Sequence, residues 1–270
     1  MNQYPPSSSD PASPPPAALS GGTSTSVRLA LPTLVPYVTY TIIGLTSLIY
    51  ILQLVSVSLF GFANDAAQMD WLELYGARIN SFIRAGEVWR LLTPVLLHAS
   101  IPHILFNMYA LIIFGPSLER YFGRWRYLLL YVLGGFAGNV LSFLLTSGYS
   151  VGASTAIFGL IGAEGIFLLQ NRKLFGNQFG RAIGNIVFIV GVNLVLDLAP
   201  GIDIWGHIGG LLGGLIFTWF AGPRWAVAGI APNLQLVDQR EPREVVTGAS
   251  VVVLIFGALA VIGIFHPITP

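Results

Sequence analysis

Apolar runs of membrane-spanning length alternate with short polar stretches along most of the chain, at 34–60, 98–118, 127–146, 152–169, 182–198, 205–221 and 248–265. A helix needs about 20 apolar residues to cross about 30 Å of hydrocarbon. The seven runs are predicted as helices, because the strict alternation of a barrel strand is absent and lipid tolerates few other backbone solutions. No repeat of fixed period is visible. Residues 1–30 differ in kind. They form a Pro/Ser/Gly tract that buries too little surface to offset chain entropy, and are predicted to be a disordered tail. The basic n-region and cleavage site of a signal peptide are missing there.

Composition sharpens the class. Charged residues make up 9% of the 270 and apolar residues 54%, with a mean hydropathy of +0.73, against about 25% charged in a typical soluble domain. So few charges cannot clothe a soluble body of this size, which excludes an ordinary cytosolic enzyme and leaves an all-α, polytopic membrane helix bundle. A net charge of +1 offers no basic stripe for phosphates, so nucleic acid is not an expected partner. With no cysteine, thiol nucleophiles, disulfides and zinc–thiolate sites are all excluded.

Basic residues set the expected orientation. Ten of the thirteen (Arg28, Arg120, Arg124, Arg126, Arg172, Lys173, Arg181, Arg224, Arg240 and Arg243) fall in the tail or after the second, fourth and sixth runs. The N-terminus is therefore expected in the cytoplasm and the C-terminus outside. Compact loops and the missing targeting peptide suggest a bacterial plasma membrane. The first loop, 61–97, is too long and too aromatic for a plain linker, with Phe62, Trp71, Tyr75, Phe82 and Trp89. It is predicted to fold at the outer interface, where Trp and Tyr are favoured.

Polar groups inside spans are costly and mark sites. The second, fourth and sixth runs all point outside to inside, and each opens with polar residues: His98, Ser100, His103 and Asn107; Ser154 and Thr155; His207. Parallel helices with polar groups at one depth can converge. Ser154 is a hydroxyl nucleophile in need of a base, and His207 is the imidazole whose span could supply it. Hydrogen-bond contact requires the fourth and sixth helices to pack closely. Gly210 and Gly214 on one face of the sixth, with Ala156, Gly159 and Ala163 on the fourth, allow that. His103 and Asn107 share a helical face and could donate to an oxyanion, as could free N–H groups at the helix start around Ser154.

Each residue taken singly has a plainer reading. A serine in a membrane helix commonly bonds the preceding turn, His207 could be a packing histidine, and His103 with Asn107 could be interhelical glue. No metal site is expected, because His98, His103 and His207 lack an H-E-x-x-H motif or a carboxylate companion. Asp203 reads as a polar residue of the short outer loop 199–203 rather than a third triad member. Glu164, ten residues past Ser154, lies too deep to serve the pair.

Together, H-A-x-x-x-H-x-x-x-N from His98, G-x-S at Gly152–Ser154 and G-H-x-G-G-x-x-G-G from Gly206 resemble the rhomboid family of intramembrane serine proteases. Trp89-Arg90 resembles the family's W-R motif, and Glu119 with Gly123 its E-x-x-x-G segment. The resemblance covers about residues 60–222. It implies a six-helix rhomboid core over 31–222, followed by a polar cytoplasmic loop over 223–247 and a seventh, C-terminal membrane helix over 248–270. It also implies a Ser-His dyad without a third acid, in which Ser154 is nucleophile and His207 general base and then acid. His103 and Asn107 would line the oxyanion hole with the backbone of Ser154 and Ala153. Phe158 would support the imidazole, and Gly152, Gly210, Gly214, Trp89, Arg90 and Glu119 would shape the surroundings. Thr155 departs from the glycine that many members carry after the serine. A β-branched residue there could crowd the nucleophile, and it is read as a tolerated variant.

The expected function is cleavage of transmembrane segments near the outer leaflet, without cofactor, with a mobile fifth helix as the gate that the family comparison suggests. Membrane-protein substrates and the lipid bilayer are the expected partners. A catalytically inactive rhomboid-like client-binding protein is the alternative, but it would lack the serine or histidine. A solute transporter would show inverted repeats, which are not visible.

Overall fold

A computed structural model describes residues 34–199, 201–230 and 234–266. The tail read at 1–30 lies outside the described residues. Among the described residues ten α-helices follow in order: α1 Tyr37–Phe60, α2 Trp71–Gly76, α3 Asn80–Arg84, α4 Ile101–Phe122, α5 Arg124–Leu145, α6 Ser154–Gln170, α7 Arg172–Phe175, α8 Phe179–Leu196, α9 Ile204–Ala221 and α10 Pro242–Phe265. Among the described residues six helical segments of 18 residues or more are long and apolar enough to cross a membrane, and the chain is a multi-pass integral membrane protein. The remaining predicted span, α6, has 17 residues. Nearly all of its side chains are buried by neighbouring helices, so its length need not match the hydrocarbon thickness.

The first helix is anchored at both ends by polar side chains. No side chain of its own caps α1. Instead Glu119, near the end of α4, accepts from the N–H groups of Val38 (2.9 Å) and Thr39 (2.7 Å) and from the Thr39 hydroxyl (2.7 Å). A carboxylate at this positive helix end satisfies donors that would otherwise be orphaned. Toward the other end, the Gln53 amide donates to Asp70 (2.7 Å) and to the His98 carbonyl (3.2 Å), and accepts from the His98 N–H (3.1 Å).

The first loop is folded, as its aromatic content predicts. Asp70 and Glu73 form a capping box that starts α2. Short 3₁₀ turns at Val88–Leu91 and Thr93–Leu96 lead into α4. The Arg90 guanidinium bonds Glu87, the Ala77 carbonyl (2.9 Å) and the Leu74 carbonyl (2.7 Å), and lies over the Phe82 ring, while Trp89 donates to the Tyr75 carbonyl at 3.1 Å. Residues read as W-R thus staple the loop to itself.

The centre of the bundle is α9, held between α5 and α6. Gly209 and Gly213 face α5, where an added Cβ would lie 2.6 Å from the Ala137 carbonyl and 2.5 Å from its methyl. Gly210 and Gly214 face α6, where a Cβ would lie 1.9 Å from the Thr155 carbonyl and 2.0 Å from that of Gly159. The G-G-x-x-G-G segment is two small-residue stripes about 100° apart on one helix, one for each neighbour. By contrast α8 rests chiefly on α6, with Ile186 its one buried side chain among the described residues.

Two boundaries differ from expectation. The polar loop read at 223–247 is structured: Trp225–Ala228 (β1) and Gln235–Asp238 (β2) pair antiparallel, with Trp225 opposite Asp238. Four-residue strands are too short to stand out by alternation. The last helix starts at Pro242 rather than 248, because Glu241 and Glu244 build a capping box and buried Arg240 bonds Glu244 (2.7 Å), Gln170 (3.0 Å) and the Gly222 carbonyl (2.8 Å).

Candidate active site

Ser154 opens α6. The chain reaches it through Gly152, whose φ of +130° few side chains tolerate, and a Cβ there would also lie 2.7 Å from His103 Nε2. His207 lies in the first turn of α9, where the Asp203 carboxylate caps the helix by accepting from the Gly206 N–H at 3.1 Å. With α6 and α9 in glycine-mediated contact, His207 Nε2 stands 2.8 Å from Ser154 Oγ. That is hydrogen-bond distance for transfer of the hydroxyl proton to the imidazole. The Phe158 ring, one turn beyond the serine, stacks on the imidazole with centroids 4.2 Å apart and planes within 11°.

Thr155 does not crowd Ser154. Its side chain packs toward α5 and α9, where a Cβ on Gly138 would meet its Cβ at 2.6 Å and one on Gly206 would meet its Cγ2 at 3.1 Å. Two glycines make room for the threonine methyl group.

Of the expected oxyanion donors, His103 and Ala153 lie beside the serine, and Asn107 follows His103 by one turn on α4. The His103 ring borders Gly152 and meets the His98 ring edge-on at 5.0 Å. The Asn107 amide donates to the His103 carbonyl of its own helix at 3.1 Å. The Ala153 N–H is directed at His98 Nε2, 3.5 Å away, rather than outward beside Ser154. Burial, with a smaller contribution from His103, lowers the His98 pKa to about 3, so its imidazole is neutral and can accept that bond.

Asp203 ties helices together rather than reaching the imidazole. Its carboxylate accepts from the hydroxyls of Ser142 in α5 and of Thr146 just after it, the latter at 2.9 Å, as well as from Gly206. Burial pushes its pKa up, but hydrogen bonds from Ser142, Ser150 and the Gly206 N–H, with the nearby Arg78 guanidinium, outweigh it and hold the pKa below the usual value. Glu164 lies near Tyr121, three turns along α6 from Ser154. Glu119 lies at the far end of α4. Among the described residues no group of three or more His, Asp or Glu side chains is arranged to hold a metal ion.

Two polar residues went unread in the sequence. Gln53 is a lone amide in an apolar run, and Asp197 a lone acid at the end of another; either is a signal by its cost in a membrane. The Asp197 carboxylate lies 2.6 Å from His207 Nδ1, on the side of the ring away from Ser154.

A bundle of membrane helices with a serine–histidine pair across the heads of two closely packed helices, α6 and α9, belongs to the class of polytopic membrane proteins with an internal polar site. The family model described as Rhomboid domain matches residues 85–224, more than half of the chain, and the protein belongs to that family. It is 42% identical over 170 residues to Rhomboid protease GluP of Bacillus subtilis (strain 168), covering 63% of this chain and 33% of that protein. RHOMBOID-like protein 9, chloroplastic, of Arabidopsis thaliana is 39% identical over 151 residues, 56% of this chain and 35% of the relative. RHOMBOID-like protein 7 of the same plant is 44% identical over 147 residues, 54% and 47% of the two chains. The chain thus spans less than half the length of these relatives.

Proposed function

We propose that the protein is an intramembrane serine endopeptidase that cleaves transmembrane segments of other membrane proteins through Ser154 and His207. The observation that carries this reading is the 2.8 Å approach of His207 Nε2 to Ser154 Oγ; membership of a family that includes a named rhomboid protease supports it. In the acylation step Nε2 takes the Oγ proton as Oγ attacks a peptide carbonyl. The resulting oxyanion draws donors from His103, from Asn107 once its amide turns from the His103 carbonyl, and from the Ser154 N–H, which as the first residue of α6 has no partner one turn back. His207 then passes the proton to the leaving amine, and water resolves the acyl-enzyme by the same steps.

The site end of the bundle faces the outside, a reading supported by the concentration of Arg and Lys at the opposite end. Substrate enters past α8, the span with the least buried surface. Helical backbone is already hydrogen-bonded and poorly attacked, so segments with Pro or Gly near their outer end are favoured. Co-expression with a panel of single-span membrane proteins tests this. Cleavage near the outer end of such segments by the wild type, and none by Ser154→Ala, is expected. Equal cleavage by both, or none by the wild type across the panel, overturns it.

A further inference from the structure

We infer that Asp197 is a third member of the catalytic group, a positioning residue that holds the His207 imidazole in its working tautomer and stabilises its charged form. The inference rests on the proposed Ser154–His207 chemistry and adds an acid where the family resemblance implies none.

Geometry is the first support. Asp197 Oδ2 lies 2.6 Å from Nδ1 while Ser154 Oγ lies 2.8 Å from Nε2, so the ring bridges a carboxylate and a hydroxyl through its two nitrogens. Burial is the second. Asp197 is 6% exposed, and among the described residues His207 is the one partner of its carboxylate. A buried carboxylate without a partner costs several kcal/mol, and the Nδ1–H of His207 supplies the hydrogen bond it needs. Placement is the third. Asp197 directly follows the last residue of α8, at the negative end of the helix dipole, where an acid is disfavoured and a base would be expected. Its position works against α8 and in favour of His207, and local rules broken in this way mark functional sites.

The proton accounting is simple. The carboxylate accepts the Nδ1–H, which leaves the Nε2 lone pair facing the Ser154 hydroxyl. When Oγ forms its bond to the substrate carbon, its proton moves to Nε2 and the carbonyl π pair moves onto oxygen. The imidazolium then carries N–H on both nitrogens, with Nδ1–H still donated to Asp197, which stays ionised. When the C–N bond breaks, the Nε2 proton goes to the departing amine and the neutral ring is restored.

The other groups around the ring are few. His103 faces the site from α4, Ser154 and Phe158 from α6, and Asp203 caps α9 itself, with Arg78 beyond it. On the α5 side stand the Ser142 and Thr146 hydroxyls, engaged by Asp203.

The test follows the rate of fluorophosphonate labelling at Ser154 against pH in lipid, for the full-length wild type, Asp197→Asn and Asp197→Glu. Labelling requires neutral His207, so it rises with pH through the imidazole pKa. Asp197→Asn is expected to slow labelling about a hundredfold or more and to move the acid limb to lower pH, because the charge that favours imidazolium is gone. Asp197→Glu should recover part of both. A purely structural tie between α8 and α9 would lower thermal stability but leave the midpoint of the limb in place. Unchanged rate and midpoint in Asp197→Asn overturn the inference while leaving the serine–histidine reading intact; a wild type that is not labelled at all overturns that reading itself. If Asp197→Asn does not accumulate, nitrogen NMR of wild-type His207 decides. Protonation at Nδ1 in the neutral ring supports the assignment, and protonation at Nε2 contradicts it.

Discussion

The His207 imidazole lies flat against the Phe158 ring, with centroids 4.2 Å apart and planes 11° from parallel. The stack fixes the plane in which Nε2 meets Ser154. Aromatic pairs of this kind contribute about 0.5–1.5 kcal/mol beyond area burial. Phe158→Leu keeps apolar volume but loses the stack, and should slow fluorophosphonate labelling by about two- to tenfold. An unchanged rate would remove Phe158 from the account.

Close approach of α9 to α6 depends on Gly210, where a Cβ would fall 1.9 Å from the Thr155 carbonyl. Backbone cannot yield as a flexible side chain can, and overpacking commonly costs about 1–3 kcal/mol or more. Gly210→Leu should separate the helices and abolish labelling without altering a reacting atom. Gly257→Ala on α10, where a Cβ meets nothing within 4 Å, is the matched control and should label normally. A fully active Gly210→Leu would refute the packing argument.

Asn107 makes its resting bond to a carbonyl of its own helix, so its removal should spare the fold. Loss of one oxyanion donor typically costs a few kcal/mol of transition-state stabilisation. Asn107→Ala should therefore cut turnover of a cleaved substrate by roughly ten- to a thousandfold with an unchanged melting profile. Normal turnover would rule out the donor role.

What the sequence made legible, and what it hid, divides along physical lines. The spans and the small-residue faces of Gly210 and Gly214 follow from local apolar runs and helical spacing, and the structure brings Ser154 and His207 together as those patterns suggest. Asp197 was hidden because its meaning depends on how the chain returns from α8 to α9, which no periodicity encodes. The direction of the Ala153 N–H toward His98 is likewise a product of the turn through Gly152, not of residue type. The β1–β2 hairpin escaped because each strand is only four residues long, and α10 starts early through a capping box written in two acidic residues that read as loop.

Glu73 gives the first loop a pH dependence. Burial raises its pKa from 4.5 to about 7, so the folded loop binds this proton more tightly than the unfolded chain does. The stability it contributes is full below about pH 4.5 and declines as pH rises through 7. Glu73→Gln retains an acceptor for the Asp70 N–H, the bond that Glu73 makes at 3.1 Å, and cannot ionise. Thermal unfolding in lipid should fall less between pH 5 and pH 8 in the variant than in the wild type. Parallel curves would show that Glu73 does not titrate in this range.

The most direct measurement of the central claim is covalent labelling by a fluorophosphonate probe in lipid, with the modified residue located by mass spectrometry. The account predicts label on Ser154 in the wild type and none in Ser154→Ala or His207→Ala, both of which should remain folded. Absence of label from the folded wild type, or undiminished labelling of His207→Ala, would contradict it.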